Sequence, residues 1–274
     1  MDEIINLSKK FQICIIDSSR LKEQEMQDIQ QLVHFCQQHD GISLSCPLDP
    51  DDEAQHFLLY GADDGCRRLF SVLSILQYDG ETVECYAFTH PAHRQQGHFS
   101  ELLAQALEQT MDCDILFPVS GKCPDTLAAL ETLEAELESE ELQMELELHA
   151  ESMDEMQCGN AVNPDFTLLP VAADPEEGMT EWTFYQGFSH KKRLGSCRTS
   201  VVSDTCICLH HVEILPEFRG LGYSGLMMER LIGALRKQGF ARIILQVSGD
   251  NHAALSLYKK QGFRITETLS FYLY

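Results

Sequence analysis

The chain has 274 residues, 44% of them hydrophobic, which is enough for two ordinary globular domains. Its net charge of −23 argues against broad nucleic-acid binding, because phosphate contacts need clustered Lys and Arg. No apolar run approaches the ~20 residues of a membrane-spanning helix, and no apolar stretch of a secretory signal follows the acidic start at Met1. The 11 cysteines are scattered, odd in number and without a Cys-x-x-Cys pair, which favours reduced thiols. We therefore expect a cytoplasmic protein with neither a nucleic-acid nor a membrane partner.

Charge is distributed unevenly along the chain. Residues 1–190 carry 37 acidic and 8 basic side chains, a balance of −29, whereas residues 191–274 carry 6 acidic and 12 basic side chains, a balance of +6. The C-terminal part is therefore the part suited to an anionic ligand. An acidic surface that only keeps the protein in solution would account for the remainder equally well.

Hydrophobic spacing predicts alternating helices and strands from residue 21 onward. A stripe that includes Ile29, Leu32 and Val33 predicts a first helix, which Gly41 would end. Apolar runs bounded by turn residues, such as Asp79-Gly80, predict the strands. In chain order we expect a helix at 21–38, strands at 56–60, 69–78 and 82–89, a helix at 97–110, a strand at 115–119, a helix at 124–141 and a strand at 142–148.

Turn-forming residues cluster between 150 and 180, where pairs such as Asn163-Pro164 indicate a connection between domains; 166–171 is a possible short strand within it. Beyond it we expect strands at 181–188, 193–202 and 206–215, a helix at 225–238, a strand at 243–247, a helix at 251–261 and a strand at 263–274. The sequence thus predicts an N-terminal domain at 1–150, a connection at 151–180 and a C-terminal domain at 181–274.

The order strand, Gly-rich turn, helix, strand, Ser-Gly turn, helix occurs twice. The segment from Pro91 to Gly97 matches the segment from Pro216 to Gly222 at an offset of 125 residues, with proline, arginine and glycine at the same internal positions. Val119-Ser120-Gly121 matches Val247-Ser248-Gly249 at an offset of 128 residues. Because these landmarks recur at a nearly constant offset, we interpret the chain as a tandem duplication.

The second Gly-rich turn, from Arg219 to Gly225, joins a predicted strand to a predicted helix. Glycines there let successive backbone N–H groups point into one concavity, and the helix N-terminus adds partial positive charge. Such a turn can hold a diphosphate, although a turn that only caps a helix has the same composition.

This region resembles the GNAT acetyltransferase superfamily. Arg219, Gly222 and Ser224 match the family pattern (Arg/Gln)-x-x-Gly-x-(Gly/Ala), with serine as a small departure at the last position. The segment from Asn251 to Phe263 matches the later pattern Asn-x-x-Ala-x-x-x-Tyr-x-x-x-Gly-Phe. The resemblance covers residues 181–274. With the duplication it implies a mixed α/β fold of two tandem acyl-coenzyme A N-acyltransferase repeats, each a mostly antiparallel mixed sheet flanked by helices.

The resemblance also implies roles for individual residues. Backbone groups of Val212, Glu213 and Ile214 would hold the thioester and pantetheine arm of acetyl-coenzyme A. Asn251 would orient the pantetheine region, and Tyr258 would protonate the departing thiolate, although an aromatic packed on a helix face is the alternative for Tyr258. The diphosphate would lie against the turn formed by Arg219, Gly220, Leu221, Gly222, Tyr223, Ser224 and Gly225.

Acetyl transfer to an amine needs a base, because a protonated amine cannot attack a thioester. His210 lies nine residues before Arg219, at a strand position where related amine acetyltransferases carry His or Glu, and its ordinary pKa suits the task. Alternation puts His211 on the opposite face; Glu213 is the second candidate base, and a core histidine is the alternative for His210. Gln246 stands where some peptide N-terminal acetyltransferases of the family carry a catalytic glutamate, which weakens that substrate assignment.

A metal interpretation arises because Cys206, Cys208 and His210 would share one strand face. A metal site needs three or four converging ligands, and small buried thiols are common in strands. We therefore expect acetyl-coenzyme A as co-substrate and no metal.

The first repeat departs from the pattern at its phosphate turn. It keeps Arg94 and Gly97, but the bulky Phe99 fills the position of the last small residue. Eleven acidic residues between 131 and 155 would oppose a bound anion nearby.

The first repeat also lacks the proton-transfer residues. Cys85 stands at the sequence offset of His210, and Leu130 stands near that of Tyr258. We expect this repeat to be catalytically degenerate.

Together these features predict an N-acetyltransferase that moves an acetyl group from acetyl-coenzyme A to a primary amine in a ternary complex. His210 or Glu213 would be the base and Tyr258 the general acid. The acidic part of the chain favours a small, cationic amine as acceptor. A non-catalytic acyl-coenzyme A sensor or scaffold and a protein N-terminal acetyltransferase are the alternatives. The sequence leaves the oligomeric state open.

Overall fold

A computed structural model describes residues 3–8, 11–63, 65–77, 80–110, 113–148, 165–174, 178–187 and 192–274. Contacts divide the chain into two units: unit 1 comprises Met1–Glu140 and Leu269–Tyr274, and unit 2 comprises Glu141–Thr268. Among the helices in these described stretches, none is both long and apolar enough to cross a membrane.

Unit 1 is a mixed sheet with helices on both faces. Its elements are β1 (Glu3–Ser8), β2 (Phe11–Asp17), α1 (Glu23–Asp40), β3 (Gln55–Asp63), β4 (Cys66–Gln77), β5 (Thr82–Thr89), α2 (His98–Leu107), β6 (Asp114–Ser120) and α3 (Pro124–Thr132). Strands β1 to β5 pair antiparallel in chain order, and β5 pairs parallel with β6. Leu102 of α2 is buried on one face with Phe57 and Leu73. Ile29 of α1 is buried on the other face with Leu58.

Unit 2 is a mixed sheet in the order β7-β12-β11-β10-β9-β8. Its elements are β7 (Glu136–Glu147), β8 (Phe166–Asp174), β9 (Met179–Gln186), β10 (Lys192–Ser203), β11 (Cys206–Ile214), α4 (Tyr223–Lys237), β12 (Arg242–Ser248), α5 (His252–Lys260) and β13 (Arg264–Leu273). Only the part of β7 from Glu141 onward and the part of β13 up to Thr268 belong to unit 2. Leu231 of α4 and Leu255 of α5 join one core with Phe184 and Leu245. The short connection from β8 to β9 leaves no room for a helix of the length that α1 has between β2 and β3.

The predicted helix at 124–141 is wrong in its second half, because α3 ends at Thr132 and Glu136–Glu147 is one long strand. Glu134 adopts a left-handed conformation with φ 57°. The Ala135 N–H donates to the Leu130 carbonyl at 3.1 Å, which closes the helix end. The strand at 142–148 is therefore the second half of β7. The structure also adds β1 and β2, which hydrophobic spacing did not predict.

The sequence repeats and the structural units differ in their last strands. Residues 141–147 of β7 pair antiparallel with β12 in unit 2. Residues 269–273 of β13 pair antiparallel with β6 in unit 1. The contact boundary at Glu140 thus differs from the predicted boundaries at 150 and 180, and β8 occupies part of the predicted connection. Residues 151–164 of that connection lie outside the described residues.

Candidate active site

Strands β11 and β12 of unit 2 diverge toward their C-terminal ends. Their parallel pairing joins only Cys206–Cys208 to Arg242–Ile244. Beyond that point, each strand pairs only along its outer edge, β11 with β10 and β12 with β7. The facing edges leave backbone N–H and C=O groups outside this ladder. The gap borders the backbone of Val212, Glu213 and Ile214, the predicted thioester contacts.

A bulge at His211 sets the direction of the side chains beside this gap. His211 has φ 49°, and the register between β10 and β11 shifts opposite it. Leu209 before the bulge and Val212 after it both contact the core that α4 and α5 cover. One extra residue in the strand produces this change of alternation. His210 therefore points to the sheet face opposite the two helices.

His210 is half-buried and held by a serine that sequence analysis did not single out. Its Nε2 lies 2.7 Å from the Ser200 Oγ, and its Nδ1 lies 3.9 Å from the Cys208 Sγ. Burial, and secondarily the charge of His211, lower the pKa of His210 below its ordinary 6.5. The imidazole is consequently neutral at pH 7, as a base must be.

Glu213, the second candidate base, is directed at the glycine turn. Its carboxylate is 54% exposed and lies 3.9 Å from the Arg219 guanidinium, which is 62% exposed. Such an exposed pair is weak and is easily rearranged by an anion. The strand behind it is tightly constrained, since a Cβ on Gly195 would lie 2.2 Å from the Glu213 carbonyl oxygen.

The backbone of the turn runs in a fixed conformation from the end of β11 to the start of α4. The Arg219 Nε donates to the Ile214 carbonyl at 2.9 Å, which fixes the turn to the end of β11. Gly220 and Gly222 have φ 75° and 82°. At the start of α4, Leu226 donates to the Gly222 carbonyl at 3.4 Å, and the first turn carries no acidic residue. The N–H groups that precede Leu226 are those that a helix N-terminus offers to anions.

Side chains of the turn have separate roles. Leu221 is 63% exposed, whereas the Tyr223 ring lies 5.6 Å from Phe166 and supports the core. The Gly225 carbonyl accepts a hydrogen bond from Gln261 at 3.5 Å, and Ser224 is half-buried. The Tyr223 side chain therefore packs against the core, unlike the exposed Leu221.

Asn251 immediately precedes α5, and Tyr258 lies within the helix. The Asn251 Oδ1 accepts from the Ala254 N–H at 3.1 Å, so this side chain caps the helix. Tyr258 is buried, and its ring lies 5.6 Å from Phe263. Burial, with a smaller contribution from Cys197, raises the pKa of Tyr258 to about 12. The phenol therefore keeps its proton at neutral pH and can donate it.

Residues 136–263 match the model of the Acetyltransferase (GNAT) family. The chain contains a GNAT domain. This confirms the resemblance that the sequence motifs indicated.

Solved structures with the same fold include a tandem protein. The GCN5-related N-acetyltransferase from Sphaerobacter thermophilus aligns over 98% of this chain and 96% of that chain, with a TM-score of 0.69 and 14% identity. A tandem GNAT protein from the clavulanic acid biosynthesis pathway aligns over 96% of this chain and 98% of that chain, with a TM-score of 0.60 and 14% identity. These matches confirm the predicted fold class.

Sequence relatives match a shorter stretch. The [ribosomal protein bS18]-alanine N-acetyltransferase of Escherichia coli strain K12 is 35% identical over 65 residues, which is 24% of this chain and 43% of that protein. The chain thus spans less than half the length of the curated relatives that it matches.

Unit 1 has a turn of the same shape as the turn of the GNAT domain. Gly97 has φ 81°, and the Arg94 Nε donates to the Thr89 carbonyl at 3.1 Å. In contrast to Arg219, however, the Arg94 guanidinium is only 14% exposed and is bound by the carboxylates of Asp40 at 2.5 Å and Asp125 at 3.1 Å. The cation of the first turn is therefore already neutralised.

The ion pair between Arg94 and Asp40 shifts the pKa of both groups. Although burial opposes ionisation of Asp40, hydrogen bonds from Arg94 and His39 hold the pKa of Asp40 below its usual value. The hydrogen bond that Arg94 donates to Asp40 raises the pKa of Arg94. Both groups stay charged, and two carboxylates lie where an incoming diphosphate would approach.

The residue of unit 1 that corresponds to His210 is Tyr86, which corrects the assignment of Cys85. The parallel pairing begins at Thr82 in β5 and at Cys206 in β11, an offset of 124 residues, which places Tyr86 at the position of His210. The bulge at His211 adds one residue to β11, so the offset becomes 125 at the turn. The Tyr86 hydroxyl donates to Glu84 at 2.5 Å. Unit 1 thus has no imidazole at this place.

A cavity of about 340 Å³ lies beside the first turn, lined among others by Cys85, Phe99 and Leu130. In unit 2, an open depression of about 490 Å³ follows α5 along Lys259 and Lys260, and none of the predicted catalytic residues lines it. Among the residues with described positions, no group of three His, Cys, Asp or Glu side chains could hold a metal.

Proposed function

We propose that unit 2 catalyses direct transfer of an acetyl group from acetyl-coenzyme A to a primary amine. The observation that carries the proposal is the gap between β11 and β12, which opens beside a glycine turn with an exposed Arg219. Backbone groups along the gap suit an extended arm with amide groups, and the turn suits a diphosphate. The +6 balance of residues 191–274 favours the same polyanionic molecule.

Two side chains supply the proton transfers. Acetyl-coenzyme A supplies the thioester. His210 accepts the proton of the attacking amine as the C–N bond forms, because its imidazole is neutral at pH 7. Tyr258 donates its phenolic proton to the sulfur as the C–S bond breaks, because its pKa of about 12 keeps it protonated. Glu213 is the reserve base in this scheme.

A panel of amines tests the activity. The full chain is incubated with acetyl-coenzyme A and each amine, and release of free thiol is followed; we expect release with at least one primary amine. Because most of the chain is acidic, small cationic amines are the first members of the panel. Binding of acetyl-coenzyme A without release on any amine would favour the sensor or scaffold function instead.

The α-amine of a polypeptide is the second candidate acceptor. The observation that favours it is the 35% identity with a ribosomal-protein alanine N-acetyltransferase over 65 residues. Gln246, exposed on β12 in place of a carboxylate, argues against it. A short peptide that begins with alanine, compared with its N-formylated form, separates the two acceptor classes in the same assay.

A further inference from the structure

The contact between Ser200 and His210 is a cross-strand hydrogen bond on the face of the unit 2 sheet away from α4 and α5. In the pairing of β10 with β11, Arg198 lies opposite His210, and Ser200 lies opposite Cys208. Residues directly opposite each other in an antiparallel pair share a sheet face, so all four side chains lie on the face away from α4 and α5. Ser200 reaches His210 diagonally, with its Oγ 2.7 Å from Nε2. Both residues are half-buried.

The two ring nitrogens of His210 differ in how firmly they are held. The bond at Nε2 is short, and an amine cannot enter between atoms 2.7 Å apart. The neighbour of Nδ1 is the Cys208 sulfur at 3.9 Å, and a thiol is a weak hydrogen-bonding group. Burial raises the pKa of Cys208, so the thiol is uncharged and forms no ion pair with the ring. Nδ1 is thus the nitrogen that an amine reaches without breaking a strong bond.

We propose that Ser200 is the positioning residue of the base: its hydroxyl oxygen accepts the Nε2–H of His210 and leaves the Nδ1 lone pair for the acceptor amine. This inference rests on the proposed function, in which His210 is the base. The hydrogen bond made by one ring nitrogen decides which nitrogen carries the proton.

The proton balance of the step is simple. The amine nitrogen forms the C–N bond and gives its proton to Nδ1, while the C–S bond breaks and Tyr258 protonates the leaving thiolate. The Nε2–H stays on the ring, hydrogen-bonded to the Ser200 oxygen. The imidazolium that results has a donor at each nitrogen, and Ser200 already accepts one of them. No hydroxyl rotation or ring flip is needed as the charge forms, which is the advantage of a base oriented by a third group.

The tautomer can be measured without any acetyl transfer. In ¹⁵N-labelled full-length protein, long-range proton–nitrogen spectra distinguish a protonated from a bare ring nitrogen, and His210→Gln identifies the signals of His210. Above the pH at which the ring titrates, we expect a protonated Nε2 and a bare Nδ1. In Ser200→Ala we expect a mixture of the two tautomers. A bare Nε2 that accepts from the serine hydroxyl would overturn the proposal.

Kinetics provide the second readout. Because an oriented general base contributes about 100-fold or more, Ser200→Ala should lower kcat/KM for the amine roughly ten- to a hundredfold. In Ser200→Ala, the acidic limb of the kcat/KM pH profile should move to lower pH. The imidazolium of His210 loses a hydrogen-bond acceptor, which lowers the pKa of the ring. The affinity for acetyl-coenzyme A should stay within about twofold, which also shows that the variant is folded. Ser200→Thr keeps the hydroxyl and should restore most of the activity; an unchanged rate and pH limb in Ser200→Ala would refute the role.

Cys208→Ala is the matched control, because it removes the weaker neighbour of the same ring from the same strand face. We expect its tautomer and pH limb to equal those of the unaltered protein. If Cys208→Ala mixes the tautomers as strongly as Ser200→Ala does, the assignment to Ser200 fails. If the tautomer is as expected but no amine is acetylated, it is the proposed function that fails, so the two failures are distinguishable.

Discussion

At the scale of single residues, Tyr258 packs in the core of unit 2 and also carries the phenol proposed as the general acid. Its ring is part of the core of unit 2, and burial is also what holds its pKa at about 12. Tyr258→Phe keeps the ring and removes only the hydroxyl. We expect kcat to fall roughly a hundredfold or more, as for loss of a general acid, while the affinity for acetyl-coenzyme A changes less than about twofold. Steady-state rates with calorimetric binding measure both, and equal losses in both would contradict the acid role.

His210 leads to a prediction for pH dependence. A lowered pKa means that the neutral, basic form of the ring persists below the ordinary titration point of 6.5. As pH falls, kcat/KM for the amine should therefore stay level through 6.5 and decline only below it. The measurement uses an amine whose own ionisation is corrected for, and His210→Gln should lose this limb. A limb centred above 6.5 would show that another group, such as the amine itself, controls the rate.

At the scale of elements, the two glycine turns form a matched pair for testing where the ligand binds. Gly222 and Gly97 have φ 82° and 81°, and a Cβ on either would meet no atom within 4 Å. Alanine at each position therefore imposes the same backbone strain of about 1–2 kcal/mol without a clash. Gly222→Ala should weaken acetyl-coenzyme A binding roughly tenfold as the turn relaxes, because 1.4 kcal/mol is tenfold in affinity. Gly97→Ala should leave it unchanged.

Calorimetric titration of acetyl-coenzyme A into both glycine variants shows which of the two turns binds the ligand. Each variant should lose a similar small amount of thermal stability, since the strain is local and equal. A loss of affinity in Gly97→Ala but not in Gly222→Ala would place the ligand in unit 1 and contradict the proposed site.

The elements that sequence could predict are those whose signals are local. The strand at 82–89 and the glycine turn at Arg219 follow from residues adjacent in sequence, and the structure places both as predicted. The end of α3 at Thr132 was missed because the left-handed turn at Glu134 uses a residue type that ordinarily continues a helix. The partners of β7 and β13 could not be predicted, since alternation shows which face is buried but not which strand lies beside it.

In the candidate site, too, some residues have a local sequence signal and others do not. Arg219, Gly222 and Tyr258 lie in short motifs and could be named from the sequence. Ser200 could not, because its contact with His210 depends on the register of β10 against β11 and on a bulge that no residue type announces. The carboxylates at Arg94 are likewise 54 and 31 residues away in the chain. Side chains brought together by strand register or by distant loops are invisible to spacing alone.

At the scale of the whole molecule, duplication has produced two turns of equal shape and different electrostatics. Arg219 is exposed and paired only at 3.9 Å, whereas Arg94 is only 14% exposed and lies between two carboxylates. Since a diphosphate would have to displace or face these carboxylates, the chain should bind one molecule of acetyl-coenzyme A, not two. Native mass spectrometry and calorimetry both report this stoichiometry.

The reason for a single site can be tested by removing the two negative charges. In the combined variant Asp40→Asn and Asp125→Asn, Arg94 loses both ionic partners but keeps its Nε bond to Thr89, so the turn should keep its shape. We expect a second, weaker site to appear, and its affinity should fall with salt because it depends on the attraction between the Arg94 cation and the diphosphate. Gly97→Ala added to this variant should abolish the second site alone. Two sites in the unaltered chain, or none gained in a folded double variant, would show that something other than the carboxylates decides which repeat binds.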